Sequence, residues 1–320
     1  MTTPSRIATV SLNSAVDQTV TVPHFAVDAV NRVEAVRVDA GGKGVNVASF
    51  LAHFGHAVTV TGLLGRDNAA LFDRHFAASG LQDCCLRVDG ATRTNVKIVD
   101  PERDTVTDLN YPGIEAGQRE LDAVASSLDE ALDRKLEWVG LCGSLPAGLA
   151  PDAYARLTAR ARSKGAKVAL DTSGAPLAAA LPACPDIIKP NIAELGDLLG
   201  RGLSGPVDAA AAAREIVAGG IGLVVVSMGG EGAVMVSADD AVLAVPPKAR
   251  IASTVGAGDA MVAGLIHAAT RGLSLAETAR LATAFSLGAL GEIGPRLPAI
   301  AHIEDFARAV EVTALDLNDA

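Results

Sequence analysis

Aromatic residues are scarce in this 320-residue chain: seven Phe, two Tyr and one Trp make up 3% of it. A core must therefore be built mainly from Ala, Val and Leu, and 49% hydrophobic against 20% charged residues leaves ample material for one. Cysteine is scarce too. Cys84, Cys85, Cys142 and Cys184 form no C-x-x-C pair, so neither a zinc site nor a redox motif is suggested. No H-E-x-x-H occurs, and His53 and His56 read as surface or packing residues. There is no basic tract and the net charge is −10, so non-specific nucleic-acid binding is not expected. An anionic substrate would have to meet a local positive pocket against that global field. No apolar run reaches the roughly 18 residues of a membrane span, and residues 1–6 lack the apolar stretch of a signal peptide. Together these absences describe a soluble, reduced, cytoplasmic protein with no membrane partner.

What is present has a clear rhythm. Short apolar runs at 7–12, 57–61, 138–142, 167–171, 186–189 and 223–227 read as buried strands. Helical stretches at 43–54, 69–78, 117–134, 151–163, 191–199 and 207–218 alternate with them. Residues 233–237 and 241–245 read as a hairpin, and 261–271, 274–288 and 302–313 as closing helices. This alternation predicts an α/β fold with a mainly parallel sheet, in one large domain. Four segments break the pattern. Residues 18–22, 32–38, 92–100 and 105–110 alternate polar and apolar side chains, as half-exposed strands do. Within 13–38 and 91–113 they predict a small projecting sheet, whose apolar face a substrate-covering lid or a partner subunit would bury. The last residues, 316–320, are expected to fray.

The most informative stretch is Ser253-Thr254-Val255-Gly256-Ala257-Gly258-Asp259-Ala260, just ahead of an apolar helical run. Two glycines at a helix N-terminus leave backbone N–H groups free to hold an anion such as phosphate. A carboxylate beside a phosphate needs a reason, because like charges repel. Asp259 either takes a proton from a hydroxyl about to attack that phosphate, or only complements the helix dipole.

Ligands of open parallel sheets gather at the carboxyl ends of the strands. There this sequence places Asn13 and Asp17, then Gly143-Ser144, Asp171-Thr172-Ser173-Gly174, Lys189-Pro190-Asn191 with Glu194 one turn on, and Ser227-Met228-Gly229-Gly230-Glu231-Gly232. Lysine is used sparingly beside arginine, yet it appears in Gly41-Gly42-Lys43-Gly44, in Thr94-Asn95-Val96-Lys97 and at Lys189. A compact ammonium suits a phosphate in a tight, glycine-walled place. No G-x-x-x-x-G-K-[ST] is present, and Gly256-Ala257-Gly258 lacks the third glycine of G-x-G-x-x-G. A P-loop NTPase and a Rossmann dehydrogenase are both disfavoured.

In combination, Gly41-Gly42-Lys43-Gly44, Lys189-Pro190-Asn191 with Glu194, and Thr254-Val255-Gly256-Ala257-Gly258-Asp259 closely resemble the signatures of the ribokinase-like, phosphofructokinase B sugar kinases. The resemblance runs in order over nearly the whole chain. Ser11-Leu12-Asn13-Ser14-Ala15-Val16-Asp17, Gly65-Arg66-Asp67-Asn68, Arg93-Thr94-Asn95-Val96-Lys97, Thr107-Asp108-Leu109-Asn110 and Gly143-Ser144-Leu145-Pro146 are similar to the branch acting on fructose 1-phosphate. Ser14 departs from the family's usual Pro, and Ala260 from its common Ser.

The resemblance implies a three-layer αβα core with a β-sheet lid, ATP and Mg²⁺ as cofactors, and a homodimer packed through the lids. It implies phosphorylation of the C6 hydroxyl of fructose 1-phosphate, giving fructose 1,6-bisphosphate. In that scheme Asp259 is the base, and Gly256, Ala257 and Gly258 form the anion hole. Asp17, Gly41, Gly42, Asn46 and Ser144 line the sugar, and Lys43, Arg93 and Lys97 meet its phosphate. Lys189, Asn191, Ser227, Gly229, Gly230, Gly232 and Gly258 face the nucleotide, and Asn191 and Glu194 hold the metal through water. Tagatose 6-phosphate and fructose 6-phosphate remain alternative substrates, because the same cations could hold a phosphate at either end of a ketohexose. A non-catalytic sugar-phosphate sensor would have lost the base or the anion hole, and both are present.

Overall fold

The computed structural model describes residues 6–249, 251 and 253–316. The readings made for residues 1–5 and 317–320 lie outside it. The chain opens with β1 (Arg6–Ser11), enters a small sheet with β2 (Ala15–Thr21) and β3 (Ala35–Gly41), and returns through α1 (Lys43–His53), β4 (Ala57–Gly65) and α2 (Ala69–Ser79). After the short strands β5 (Gln82–Asp83) and β6 (Leu86–Val88), β7 (Thr94–Asp100) and β8 (Thr105–Leu109) complete the small sheet. Then come α3 (Gln118–Leu132), β9 (Trp138–Cys142), α4 (Ala153–Ser163), β10 (Lys167–Asp171), α5 (Gly174–Ala180), β11 (Ile187–Ile188), α6 (Ile192–Leu199), α7 (Gly205–Ala218) and β12 (Leu223–Ser227). The hairpin β13 (Ala233–Ser237) and β14 (Ala241–Val245) precedes α8 (Ala257–Thr270), α9 (Leu275–Leu290), α10 (Ile300–Ala309) and β15 (Glu311–Ala314).

The large sheet runs β15-β14-β13-β12-β11-β10-β9-β1-β4-β5, parallel from β5 to β12 and antiparallel beyond, with β6 paired to the far end of β4. Its central strands are buried almost throughout and mostly apolar because both faces are covered. On β1, Ala8 and Val10 face one core with α3, α4 and α7, while Ile7 faces the other with α1, α8 and α9. The same alternation on β10 sends Val168 and Leu170 one way and Ala169 the other. The sheet is mainly parallel, as the sequence rhythm implied, and these are the three αβα layers that the resemblance implied. No helix among the described residues is long and apolar enough to cross a membrane.

The small sheet is separate, in the order β3-β2-β7-β8. Its strands come from within 13–38 and 91–113, except that β3 runs on to Gly41 and so reaches the start of α1. Val36 and Val38 on β3, Val106 and Leu109 near its other edge, and Val27 and Val30 in the β2–β3 connection are all exposed. That connection is held by Asp100, whose carboxylate accepts from the backbone N–H groups of His24, Phe25 and Glu102.

One expectation needs correcting. The helix expected over 302–313 stops at Ala309, and Glu311–Ala314 instead pair with β14. Pairing with an open sheet edge outweighs a helical pattern only a few residues longer. His56 takes the packing role, with its Nε2 2.7 Å from His267 Nδ1 where the C-terminal ends of α1 and α8 meet.

Candidate active site

The polar groups gather where α1 and α8 aim their N-termini at the carboxyl ends of the central parallel strands. Gly256 caps α8 with φ 77°, a left-handed conformation that glycine adopts without strain. Asp259 is therefore in the first turn, behind the N–H groups that a helix leaves without internal partners. Its carboxylate is buried, and Oδ2 accepts a 2.7 Å hydrogen bond from Asn46 Nδ2. Asn46 comes from α1, and its own Oδ1 is buried with no partner.

Asp171, at the end of β10, is 1% exposed and sits between two ammonium groups. Lys43 Nζ lies 3.2 Å from Oδ2 and Lys189 Nζ 3.4 Å from Oδ1. Lys189 Nζ is also 3.5 Å from where a Cβ on Gly258 would stand, which puts its charge beside the first turn of α8.

The electrostatics separate the two carboxylates. Burial alone would raise the pKa of Asp171, but Lys189 and Lys43 outweigh it and hold the group below the ordinary carboxylate range. Burial wins at Asp259, whose pKa is raised despite Lys43, with the Asp171 charge adding to the rise. Asp171 in turn holds Lys43 well above the usual lysine value. One carboxylate thus stays ionised as a counter-ion while the other is tuned toward accepting a proton.

Asp17 of β2 points into the same region and is 7% exposed. Burial pushes its pKa up to about 6, with Lys97 opposing and Asp259 adding to the shift. Gly41 leaves the room that this carboxylate takes, since a Cβ there would lie 2.3 Å from Asp17 Oδ2. Gly42 caps α1 and is followed directly by Lys43. Lys97, on β7, pairs with Asp108 at 2.7 Å. Asn13 Nδ2 donates to Ser144 Oγ at 3.0 Å, joining the ends of β1 and β9.

Some expected residues have other partners as well. Arg93 donates to the carbonyls of Ser14 (3.4 Å), Tyr111 (3.1 Å) and Asn13 (3.2 Å), so it ties the chain crossings between the two sheets. Asn191 and Glu194 form a reciprocal capping box on α6. Asn191 Oδ1 accepts from the Glu194 N–H and Glu194 Oε2 from the Asn191 N–H, each at 2.8 Å. The charge of Glu194 is still felt at Lys43. Ser227 bridges to Asn191 at the end of β12. Gly229 and Gly230 lie in the short helical turn after it. Gly232 has a structural duty, because a Cβ there would meet the Ala244 carbonyl at 2.0 Å.

Asp171 is the residue that sequence reasoning did not assign. Its position at a strand end was visible, but the two lysines that give it meaning come from α1 and from the end of β11. Two surface hollows, about 530 Å³ beside α6 and about 590 Å³ by Arg6 and Arg134, lie outside this cluster.

Known proteins resemble this chain over most of its length. Residues 9–301 match the model of the pfkB family carbohydrate kinases. The chain is 69% identical over 310 residues to a 1-phosphofructokinase of Rhodobacter capsulatus, covering 97% of this chain and 98% of that one. It is 46% identical over 312 residues to a 1-phosphofructokinase of Xanthomonas campestris pv. campestris, covering 96% and 98%. Among solved structures, phosphofructokinase-2 from Escherichia coli in complex with substrates and products superposes with a TM-score of 0.87 at 29% identity, covering 95% and 98%.

Proposed function

This chain belongs to the pfkB family of carbohydrate kinases, and from that premise we propose how its site works. The reaction is transfer of the γ-phosphoryl group of ATP to the C6 hydroxyl of D-fructose 1-phosphate. The observation that carries the reading is one constellation: Asp259 behind the glycine-capped N-terminus of α8, bonded to Asn46, with Lys43 and Lys189 fixed by Asp171.

Phosphoryl transfer asks mainly for positioning and charge stabilisation. The N–H groups of Ala257, Gly258 and Asp259 hold the equatorial phosphoryl oxygens, and Gly256 lets the chain turn so that they converge. Asp259 takes the C6 hydroxyl proton as oxygen attacks phosphorus. Its raised pKa suits that task, since a base works best with a pKa near the working pH. Asp17, Asn46, the backbone of Gly41 and Gly42, and Ser144 orient the sugar. Lys43, Arg93 and Lys97 meet its phosphate. Lys189, Ser227, Gly229, Gly230 and Gly232 lie on the nucleotide side.

Mg²⁺ fits this donor set only in company with the nucleotide. Among the described residues no group of three His, Cys, Asp or Glu could hold a metal ion. Mg²⁺ needs only one or two carboxylates when phosphates and waters fill its remaining positions. Glu194 would supply the protein side, through water, with Oε1, which the capping box does not use, and Asn191 with the second lone pair of Oδ1. When bound, the ion neutralises charge on the β- and γ-phosphates.

The small sheet acts as a lid that excludes water, so that the sugar hydroxyl is the acceptor. The exposed valines on its outer face suit packing against a second copy of this chain in a homodimer. ATP hydrolysis without sugar should accordingly be slow. A sugar-free rate near the kinase rate would overturn the closure.

Asp17 makes a pH prediction. Its folded pKa of about 6 lies above its ordinary 3.8. A group raised in this way contributes stability that is present below about 4 and lost as pH rises through about 6. At pH 7.5 the ionised form is therefore a cost, on the order of 1–3 kcal/mol. Asp17→Asn should be more stable in urea melts at pH 7.5 while its KM for fructose 1-phosphate rises at least tenfold, the loss of about one charged hydrogen bond. In the unaltered enzyme that KM should rise as pH falls below about 6. A flat KM between pH 5 and 8 would remove Asp17 from the sugar site.

The substrate is tested by kcat/KM for fructose 1-phosphate, fructose 6-phosphate and tagatose 6-phosphate. The expected order puts fructose 1-phosphate first. Preference for a 6-phosphate would overturn the substrate and leave the kinase chemistry standing.

A further inference from the structure

Asp39 lies on β3, in register with Asp17 on β2. Its side chain is 14% exposed. Arg37 Nε donates to Oδ2 at 2.9 Å from the same strand, and Arg296 Nη2 donates to Oδ1 at 3.0 Å from outside the small sheet. Arg296 belongs to the connection between α9 and α10. There the chain turns sharply at Gly294, with φ 84°, and the Arg296 N–H donates to the Gly294 carbonyl at 2.9 Å. A Cβ on Gly294 would stand 2.8 Å from Asp39 Oδ2, so the turn is seated on the carboxylate itself.

The same connection reaches the phosphoryl side of the site. Cα and Cβ of Pro295 lie 3.4 Å from where a Cβ on Gly256 would stand, so Pro295 packs on the N-cap of α8. Just upstream, the Leu290 carbonyl accepts from the Ser253 N–H at 3.2 Å. Adjacent residues, Pro295 and Arg296, therefore touch the anion hole and the lid strand opposite the sugar carboxylate.

We propose that Arg296 is a positioning residue that couples closure of the small sheet over the sugar to the geometry of the α8 N-terminus. The Asp39–Arg296 pair fixes β3 relative to the turn that presses on Gly256. When the sugar draws Asp17 and its strand partner inward, Arg296 is drawn with Asp39, and Pro295 sets the cap of α8. Arg296 is about half exposed and contributes little to folding. Its effect is on linkage between the two substrates rather than on stability. The inference rests on the reading of the small sheet as a lid.

The test measures binding of the non-hydrolysable analogue β,γ-imido-ATP with Mg²⁺ by calorimetry, with and without saturating fructose 1-phosphate. In the unaltered enzyme the sugar should tighten the analogue by about 5-fold or more, the usual lower range of coupling between sites. Arg296→Gln and Asp39→Asn should each abolish most of that factor, while the affinity for either ligand alone shifts by about 2-fold or less. Their KM for ATP at saturating fructose 1-phosphate should rise by about 5-fold or more, the factor of coupling they lose. Arg296→Lys should restore part of the coupling, because it keeps the charge but loses the planar fork. Raising salt should weaken the coupling in the unaltered enzyme and leave the glutamine variant unchanged. A merely structural arginine would lower stability and both affinities without changing their ratio.

Full coupling in Arg296→Gln and Asp39→Asn would overturn the proposal and leave the lid intact. Absence of coupling in the unaltered enzyme, with no sugar-induced protection of the β2 and β3 amides from hydrogen exchange, would remove the lid and this inference together.

Discussion

Asp259→Asn is expected to fold, to bind ATP and fructose 1-phosphate within a few-fold of the unaltered affinities, and to lose about 10²–10⁴ in kcat, the usual worth of a positioned general base. Binding survives because the groups assigned to it lie elsewhere: Asp17 on β2, Lys43 on α1, Lys189 after β11. Folding survives because Asn matches Asp in shape, and the amide of Asn46 can turn to offer Oδ1, which has no partner now, to the new donor. A raised carboxylate pKa is also a cost of folding at neutral pH, so removing the ionisable group should leave stability equal or higher. The measurement is single-turnover phosphoryl transfer beside calorimetric binding of each substrate. Near-normal turnover would remove Asp259 as the base and return it to the role of a first-turn acid complementing the helix dipole.

Asp171→Ala carries the largest expected effect on stability. The substitution leaves Lys189, only 6% exposed, without its counter-ion, whereas Lys43, 42% exposed, can turn to water. Removing one member of a buried charge cluster typically costs about 3–5 kcal/mol, because the remaining charge is uncompensated. Asp171→Asn should fall between, since it keeps the volume and loses the charge. The pH dependence follows from the directions of the shifts. The pKa of Asp171 is lowered, so its contribution is present above the ordinary carboxylate value of 3.8 and is lost as pH falls through its folded value. The pKa of Lys43 is raised, so its contribution is present below the ordinary 10.5 and is lost only as pH rises through its folded value. Between those limits the unaltered protein should show a plateau that the alanine variant loses. Urea melts from pH 5 to 9 check this, with kcat read in parallel. A stability change below about 1 kcal/mol, well short of a buried-charge effect, together with unchanged kcat, would show that the lysines do not depend on this carboxylate.

Much of the site could be read in the sequence because its parts are local. Gly256-Ala257-Gly258-Asp259 is a helix start, and a cap with a first-turn acid is decided by residues within one turn of each other. The mainly parallel α/β core was legible for a similar reason, since strands buried on both faces read as short, mostly apolar runs between helices. The separate small sheet was legible as well, because half-exposed strands alternate. The parts that escaped are relations across distance. Asn46 reaches Asp259 over 213 residues, and Lys43 reaches Asp171 over 128. Nothing near Asp171 in the chain distinguishes it from any other acid that follows a strand. Asn191 and Glu194 show the converse, for a spacing read as a metal motif is equally that of a capping box, and the structure forms the box.

The glycine-led N-terminus of α8, and the carboxylate set behind it, follow from sequence alone, because helix capping and turn conformation are short-range matters. What that carboxylate can do was decided by the tertiary structure. The parallel order β11-β10-β9-β1-β4 sets β10 beside the ends of β9 and β11, and α1 packs against α8 from the other face. Only then do two lysines flank one buried acid, and only then do burial and that acid's charge raise the pKa of a second. Burial and Coulomb interactions depend on distance in space, which the chain acquires only by folding.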